Sequence, residues 1–312
     1  MTGVPEQTRL RDGDVVLTPQ PPVGDVTVFV VEHAGAVAGT AEIRRTGVGR
    51  GELSWSLYPG PPGEPGEPGQ PGQGRRRVAS AALRLLLRHA FEGLGLVRVE
   101  AYVDAGDPHA LRIAAGAGLR HEGLLRQRET AGERRSDHAV LARLVDDPDP
   151  GTGEGLRATL NSLLPRKRAI AHGVIRDSRG RVLLTEQTIK PQWDLPGGVV
   201  EPDESPWQGV VREVREELGL ELSVAGLLAV NWLPSWRQWD DACIFVFDLG
   251  VHDAAIVERM TLQATEIRAV HWSDADLVQE RAAAATADLL AEVLSGDLSA
   301  PRYLEAGRPP AT

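Results

Sequence analysis

The sequence predicts an α/β protein in two domains, on three observations. The chain has 312 residues, about twice the length of a typical single domain. Short β-rich runs alternate with amphipathic helical runs in both halves, the pattern of sheets covered by helices. Between the halves, Asp146-Asp147-Pro148-Asp149-Pro150-Gly151-Thr152-Gly153-Glu154-Gly155 carries Pro, Gly and acid without apolar periodicity, the composition of a linker. The boundaries read from this are a domain over 1–146, a linker and short helix over 147–166, a second domain over 167–305, and a tail over 306–312.

Composition narrows the class. Apolar residues make up 42% and charged residues 25% of the chain, as in ordinary globular domains. A formal net charge of -10 argues against general nucleic-acid binding, which calls for a basic surface. It leaves a nucleotide substrate open, because a metal ion can supply positive charge. Cys243 is the single cysteine, so no internal disulfide forms, and a reducing, cytoplasmic setting is expected. No apolar run reaches the ~20 residues of a membrane span, and no signal peptide is read.

In the first half, Val15 to Leu17 reads as a short strand. Val26 to Val31 and Val37 to Ile43 read as a hairpin, and Glu52 to Leu57 as the next strand. Gly60, Gly63, Gly66, Gly69 and Gly72 follow at a period of three with Pro between them, so 59–74 reads as an extended surface insertion. After Arg75-Arg76-Arg77, the Ala- and Leu-rich stretch Ala79 to Leu94 predicts a helix. Val97 to Val103 reads as a strand and Pro108 to Ala117 as a helix stopped at Gly118. Leu124 to Arg128 and His138 to Leu144 read as a closing strand pair.

The run Phe91-Glu92-Gly93-Leu94-Gly95-Leu96-Val97-Arg98-Val99-Glu100-Ala101 resembles the GNAT acetyltransferases of the type that acetylates protein N-termini and small amines. Asp104, Leu111-Arg112-Ile113, Ala117-Gly118-Leu119 and Glu122-Gly123 extend the resemblance. It implies a GNAT-like mixed sheet with helices and acetyl-CoA as cofactor, its pyrophosphate on N–H groups at a helix N-terminus. The aligned phosphate loop is Gly74 with Arg75, Arg76, Arg77, Val78 and Ala79, which makes these five the candidate cofactor-binding residues. Three departures count against it. Arg77 replaces the central glycine, where a side chain obstructs close approach of backbone to phosphate. Asp107 and Ala110 stand where the family has Asn and Ser, and no substrate-binding helices precede the first hairpin. Three arginines still attract phosphate electrostatically. The alternative is a fold retained for packing, homodimer formation or ligand sensing.

Leu156 to Leu164 predicts a short helix with Leu156, Leu160, Leu163 and Leu164 on one side, suited to docking one domain on the other. In the second half, Ala169 to Ile175 and Val182 to Glu186 flank a turn at Asp177 to Gly180. Ala225 to Trp232, Ala242 to Leu249 and Ile267 to Trp272 read as strands and Thr286 to Leu294 as the closing helix; 300–312 is expected to fray. Trp232, Trp236 and Trp239 fall in and beside a polar loop, where the indoles either stack on a flat ligand or fold under their own loop. His172 and His271 read as structural strand residues.

The most informative segment runs from Gly197 to Leu220. Ser205 is a good N-cap, Pro206 suits the first helical position, and Gln208 completes a capping box. Gly219 is placed to end the helix in a left-handed conformation. At about 100° per residue, Trp207, Val211, Val214 and Leu218 form one apolar stripe. Glu213, Glu216 and Glu217 share the adjacent face and repel one another, which a helix built for stability alone would avoid. Three carboxylates beside a glycine turn make a hard-oxygen site for Mg²⁺ or Mn²⁺.

Gly198, Glu204, Arg212, Glu213, Val214, Glu216, Glu217, Gly219 and Leu220 match every fixed position of the Nudix box, so the second half resembles the Nudix hydrolases. The resemblance implies an α/β/α Nudix sandwich and metal-dependent cleavage of a small-molecule diphosphate. It implies that Glu213, Glu216, Glu217 and the Gly198 carbonyl hold the metal, and that Arg212 pairs with Glu204. The family's general base varies; Glu216 and Glu266 are the candidates. The expected function is hydrolysis of a phosphoanhydride in a nucleoside diphosphate-linked or related substrate. An acetyltransferase with an appended Nudix domain and a non-catalytic nucleotide sensor are the alternatives.

Overall fold

The computed structural model describes residues 9–57, 73–131, 134–296 and 298–310. The chain divides into two units, Met1–Pro165 and Arg166–Thr312. Both are mixed α/β.

The first unit contains β1 (Leu10–Asp12), β2 (Val15–Pro19), β3 (Val26–His33), β4 (Ala36–Gly47), β5 (Arg50–Leu57), β6 (Arg98–Asp104), β7 (Arg120–Ala131) and β8 (Arg134–Leu144). They form one sheet in the order β1-β2-β3-β4-β5-β6-β8-β7. All neighbours are antiparallel except β5 and β6, which pair in parallel only from Arg50 to Glu52 against Arg98 to Glu100. Helices α1 (Gln73–Arg88), α2 (Pro108–Gly116) and α3 (Gly153–Leu163) accompany the sheet. Leu17, Phe29, Ile43 and Leu53 of the strands pack with Leu83, Leu86 and Leu87 of α1 into one core.

Two expectations change here. Helix α1 starts six residues before Ala79 and ends in a π-turn, His89–Gly93. Arginines in a first helical turn oppose the helix dipole, so the sequence pattern alone places the start too late; burial of Ala82, Leu83 and Leu86 carries the helix. The helix read beside the linker packs on β7 of its own unit, where Ser162 Oγ accepts from His121 N–H at 3.0 Å. Leu156, Leu160 and Leu164, read as its docking stripe, are exposed. The insertion read at 59–74 lies, up to residue 72, outside the described residues.

The second unit contains β9 (Arg168–Asp177), β10 (Val182–Gln187), β11 (Gly197–Val199), α4 (Pro206–Leu218), β12 (Gly226–Leu233), β13 (Ala242–His252), β14 (Ile267–Ser273), α5 (Ala275–Arg281), α6 (Ala284–Leu294) and β15 (Arg302–Glu305). The sheet order is β14-β10-β9-β13-β12-β15, with β11 also on β9. Side chains alternate between faces along a strand, and β9 shows it. Ala171 and Ile175 join the apolar cluster of α4, while Val174 joins that of α6. The result is an α/β/α sandwich. The segment expected to fray instead adds β15 as a parallel edge strand on β12, with Leu304 buried. Gly307 N–H, just beyond it, donates to the buried Asn231 side chain at 2.9 Å.

Candidate active site

Helix α4 is capped as its sequence dictates. Ser205 Oγ accepts from Gln208 N–H at 3.2 Å and Gln208 Oε1 accepts from Ser205 N–H at 3.0 Å. Gly219 takes φ +68° at the other end, a left-handed conformation that costs glycine no steric strain. The buried face differs from the expected stripe. Val210, Val214 and Leu218 pack on Ile175 and Phe247, whereas Trp207 is half exposed, edge-on to Phe247. The helix is therefore turned so that Glu217 faces inward.

Glu217 is only 3% exposed. Its Oε2 accepts the Gly197 N–H at 2.9 Å. Burial, reinforced by the nearby Glu213 and Glu266 carboxylates, pushes its pKa up to about 8 despite that hydrogen bond. Burial also raises Glu213. The glycines bring the backbone this close: Gly197 has φ +135°, and a Cβ there would lie 2.1 Å from the Ala171 carbonyl oxygen. A Cβ on Gly198 would lie 2.5 Å from Glu213 Oε1, so the carboxylate rests against the bare backbone.

Arg212 organises the acidic rim. Its Nε and Nη2 donate to the two oxygens of Glu204 at 2.9 and 3.1 Å, a bidentate pair, and Nη2 also donates to the Val199 carbonyl at 3.1 Å. Nη1 donates to Glu213 at 3.0 Å and to Glu216 at 2.9 Å. One guanidinium thus ties the loop to the helix, and its hydrogen bonds hold Glu204 below the usual carboxylate range. Glu216 is the more open of the acids, and Glu266 lies exposed just before β14.

The donor set suits a hard divalent cation, with Glu213 and Glu217 partly or wholly withdrawn from water and Gly198 against Glu213. Among the described residues, no three acidic, histidine or cysteine groups already stand in the mutual geometry of a bound ion. Arg212 engages Glu213 and Glu216, and Gly197 N–H engages Glu217.

Asp194, in the run from Trp193 that leads into the glycine turn, anchors the approach to Gly197. It is buried and accepts from Lys190 Nζ at 2.6 Å, Leu195 N–H at 2.9 Å and Thr286 Oγ1 at 3.0 Å. Trp193 stacks on His271 with ring centroids 3.8 Å apart, and His271 in turn meets Glu186 at 3.1 Å. The signal was present in Trp193-Asp194-Leu195-Pro196, an aromatic–acid–proline run feeding the glycine turn.

The residues proposed for a phosphate loop in the first unit lie in the opening turns of α1. The N–H groups of Arg77, Val78 and Ala79 fall beyond the first four and are spent inside the helix. Ala79 is buried. Arg76, Arg77 and Val78 line a cleft of about 670 Å³ together with Arg84 and Arg112.

A family model described as "NUDIX domain" matches residues 166–293. The chain belongs to the NUDIX family. It is 36% identical over 124 residues to a MutT-like protein of Streptomyces ambofaciens, a match covering 40% of this chain and 75% of that one. It is also 36% identical over 97 residues to the CTP pyrophosphohydrolase of Escherichia coli K12, covering 30% and 66%. To the 8-oxo-dGTP diphosphatase of Proteus vulgaris it is 36% identical over 67 residues, covering 20% and 60%. The family and these relatives place the chain among hydrolases of phosphorus-containing anhydrides. Among solved structures, it is similar to a MutT protein of Methanosarcina mazei, with 27% identity, 38% of this chain and 85% of that one, at a TM-score of 0.32. It is similar also to Mycobacterium smegmatis RimJ in complex with CoA-disulfide, with 23% identity, 44% and 61% coverage, at a TM-score of 0.34. Among the described residues no helix is long and apolar enough to cross a membrane.

Proposed function

We propose that the second unit hydrolyses a phosphoanhydride in a nucleoside diphosphate-linked or related small molecule, using Mg²⁺ or Mn²⁺. The observation that carries this reading is Glu217: a carboxylate buried beside two others, its pKa pushed up to about 8. A group so placed is costly until a cation arrives. Glu213, Glu216 and Glu217, with the Gly198 carbonyl, would hold that cation. Bound there, a divalent ion neutralises charge on bridging phosphates and makes water more acidic. Arg212 keeps the glycine turn and the helix in register, while Glu216 or Glu266 accepts the proton from the attacking water. A panel of nucleoside triphosphates, dinucleotides and nucleotide sugars, assayed with and without Mg²⁺, tests it. Cleavage of at least one compound only with metal is expected; no metal-dependent cleavage across the panel contradicts it.

The arginine-lined cleft of the first unit favours a second, phosphate-bearing ligand there, acetyl-CoA being the first candidate. Calorimetric titration with acetyl-CoA decides it: binding that weakens in Arg76→Ala/Arg112→Ala supports the reading, and no binding heat refutes it.

A further inference from the structure

The arginine-lined cleft of the first unit is built by two helices and a strand. Along α1, Arg77, Ser80, Ala81 and Arg84 stand at i, i+3, i+4 and i+7 and so share one face. Arg112 and Gly116 of α2 line the same cleft, and Val15 of β2 completes it. Small groups separate the arginines. A Cβ on Gly116 would lie 2.4 Å from Ser80 Oγ, so the bare glycine lets the two helices approach. Ser80 Oγ donates to the Ile113 carbonyl at 3.0 Å and holds them there.

The lining carries Arg76, Arg77, Arg84 and Arg112 and no carboxylate, in a chain whose formal net charge is -10. Arg77 and Arg112 are exposed, and among the described residues no acid pairs with either. Arg84 gives Nη1 to the Gly116 carbonyl at 2.7 Å and keeps its other N–H donors. Guanidinium groups gathered in this way repel one another, and an anion among them replaces repulsion with attraction. Arg77 and Arg84 lie about 10 Å apart along the helix axis. Cations strung along such a line suit a chain of phosphates better than a single one. The backbone N–H groups of Arg77 and Val78 are engaged inside α1, so recognition falls to the side chains.

We propose that this cleft binds a linear oligophosphate chain, and that the number of negative charges on the ligand, rather than an acetyl thioester, sets its affinity. This deepens the second reading given above, a phosphate-bearing ligand in the cleft, and rests on it. A cradle of backbone amides fits one bent pyrophosphate. Guanidinium groups on flexible stems instead take phosphate oxygens in bidentate pairs wherever the chain presents them.

The test uses the full chain in chelator, which leaves the acidic site of the second unit without metal. Equilibrium dialysis compares labelled tripolyphosphate with orthophosphate and acetyl-CoA. Tripolyphosphate should bind about tenfold or more tighter than orthophosphate, and its affinity should fall by a similar factor between low salt and ~0.5 M NaCl. In Arg77→Ala/Arg112→Ala, which removes two exposed side chains, affinity should fall by about tenfold or more with an unchanged circular dichroism spectrum. Arg112→Glu alone, a reversal of charge, should cost more than Arg112→Ala. No uptake of tripolyphosphate, uptake undiminished in the double variant, or equal affinity in Arg112→Ala and Arg112→Glu overturns the proposal. Acetyl-CoA that binds and is not displaced by excess tripolyphosphate also overturns it, and leaves acetyl-CoA as the ligand of the cleft. Tripolyphosphate uptake that is lost in the double variant, with no uptake of acetyl-CoA, upholds the proposal and refutes acetyl-CoA.

Discussion

Glu217→Gln separates the chemistry of the site from its folding. Glutamine keeps the shape and an oxygen for the Gly197 N–H, but removes a buried charge. The ordinary pKa of the carboxyl is 4.5 and the folded one is about 8. Between these values the folded state holds a proton that the unfolded state has released. The contribution of this carboxyl to the stability of the metal-free protein is therefore greatest at low pH and falls as pH rises through that window. At 1.36 kcal/mol per pH unit the full difference is at most about 5 kcal/mol, and the part lost between pH 5.5 and pH 8 is on the order of 3 kcal/mol. The variant has no such group. Urea unfolding in chelator should therefore show the variant gaining on the unchanged protein by up to that amount as pH rises, with the two close at pH 5.5. Added Mg²⁺ should reverse the order at pH 8, stabilising only the protein with its carboxylate, while turnover of the variant drops by several orders of magnitude. Parallel stability profiles in chelator, or retained turnover, refute the reasoning.

Gly198→Ala places a Cβ against Glu213 Oε1 and should weaken Mg²⁺ affinity and turnover with little loss of secondary structure, read by metal titration and circular dichroism. Gly197→Ala should instead impair folding, because its Cβ meets the Ala171 carbonyl at 2.1 Å in a left-handed backbone, and loss of soluble protein or of a cooperative melt reports it. Arg212→Ala leaves Glu204 and Glu213 without their partner and should cost about 1–3 kcal/mol in urea unfolding, along with activity. Of Glu216→Gln and Glu266→Gln, the one that removes the acidic limb of the pH–rate profile identifies the base.

The second unit was legible because its informative features are local. Cap, capping box, left-handed stop and acid spacing all fall within the Gly197 to Leu220 segment, and the structure reproduces each. The rotation of α4 was not legible. Trp207 fits an apolar stripe on the helix wheel, yet packing on Ile175 and Phe247 selects Val210 and turns Glu217 inward. β15 was missed because Arg302-Tyr303-Leu304-Glu305 buries a single apolar side chain and pairs with a strand some seventy residues earlier. A contact so distant leaves no periodic trace in its own segment. The arginines before Ala79 hid the true start of α1 for another reason: their charge in a first turn opposes the helix dipole, while burial of Ala82, Leu83 and Leu86 further along carries the helix.

The most direct measurement is a titration of the full chain with Mn²⁺, following the free ion by electron paramagnetic resonance, alone and with a slowly hydrolysed nucleoside diphosphate analogue. The account predicts a cation site that tightens when the analogue is present and disappears in Glu213→Gln and Glu217→Gln. Undiminished Mn²⁺ uptake in those two variants, or no uptake by the unchanged protein with the analogue bound, would contradict it.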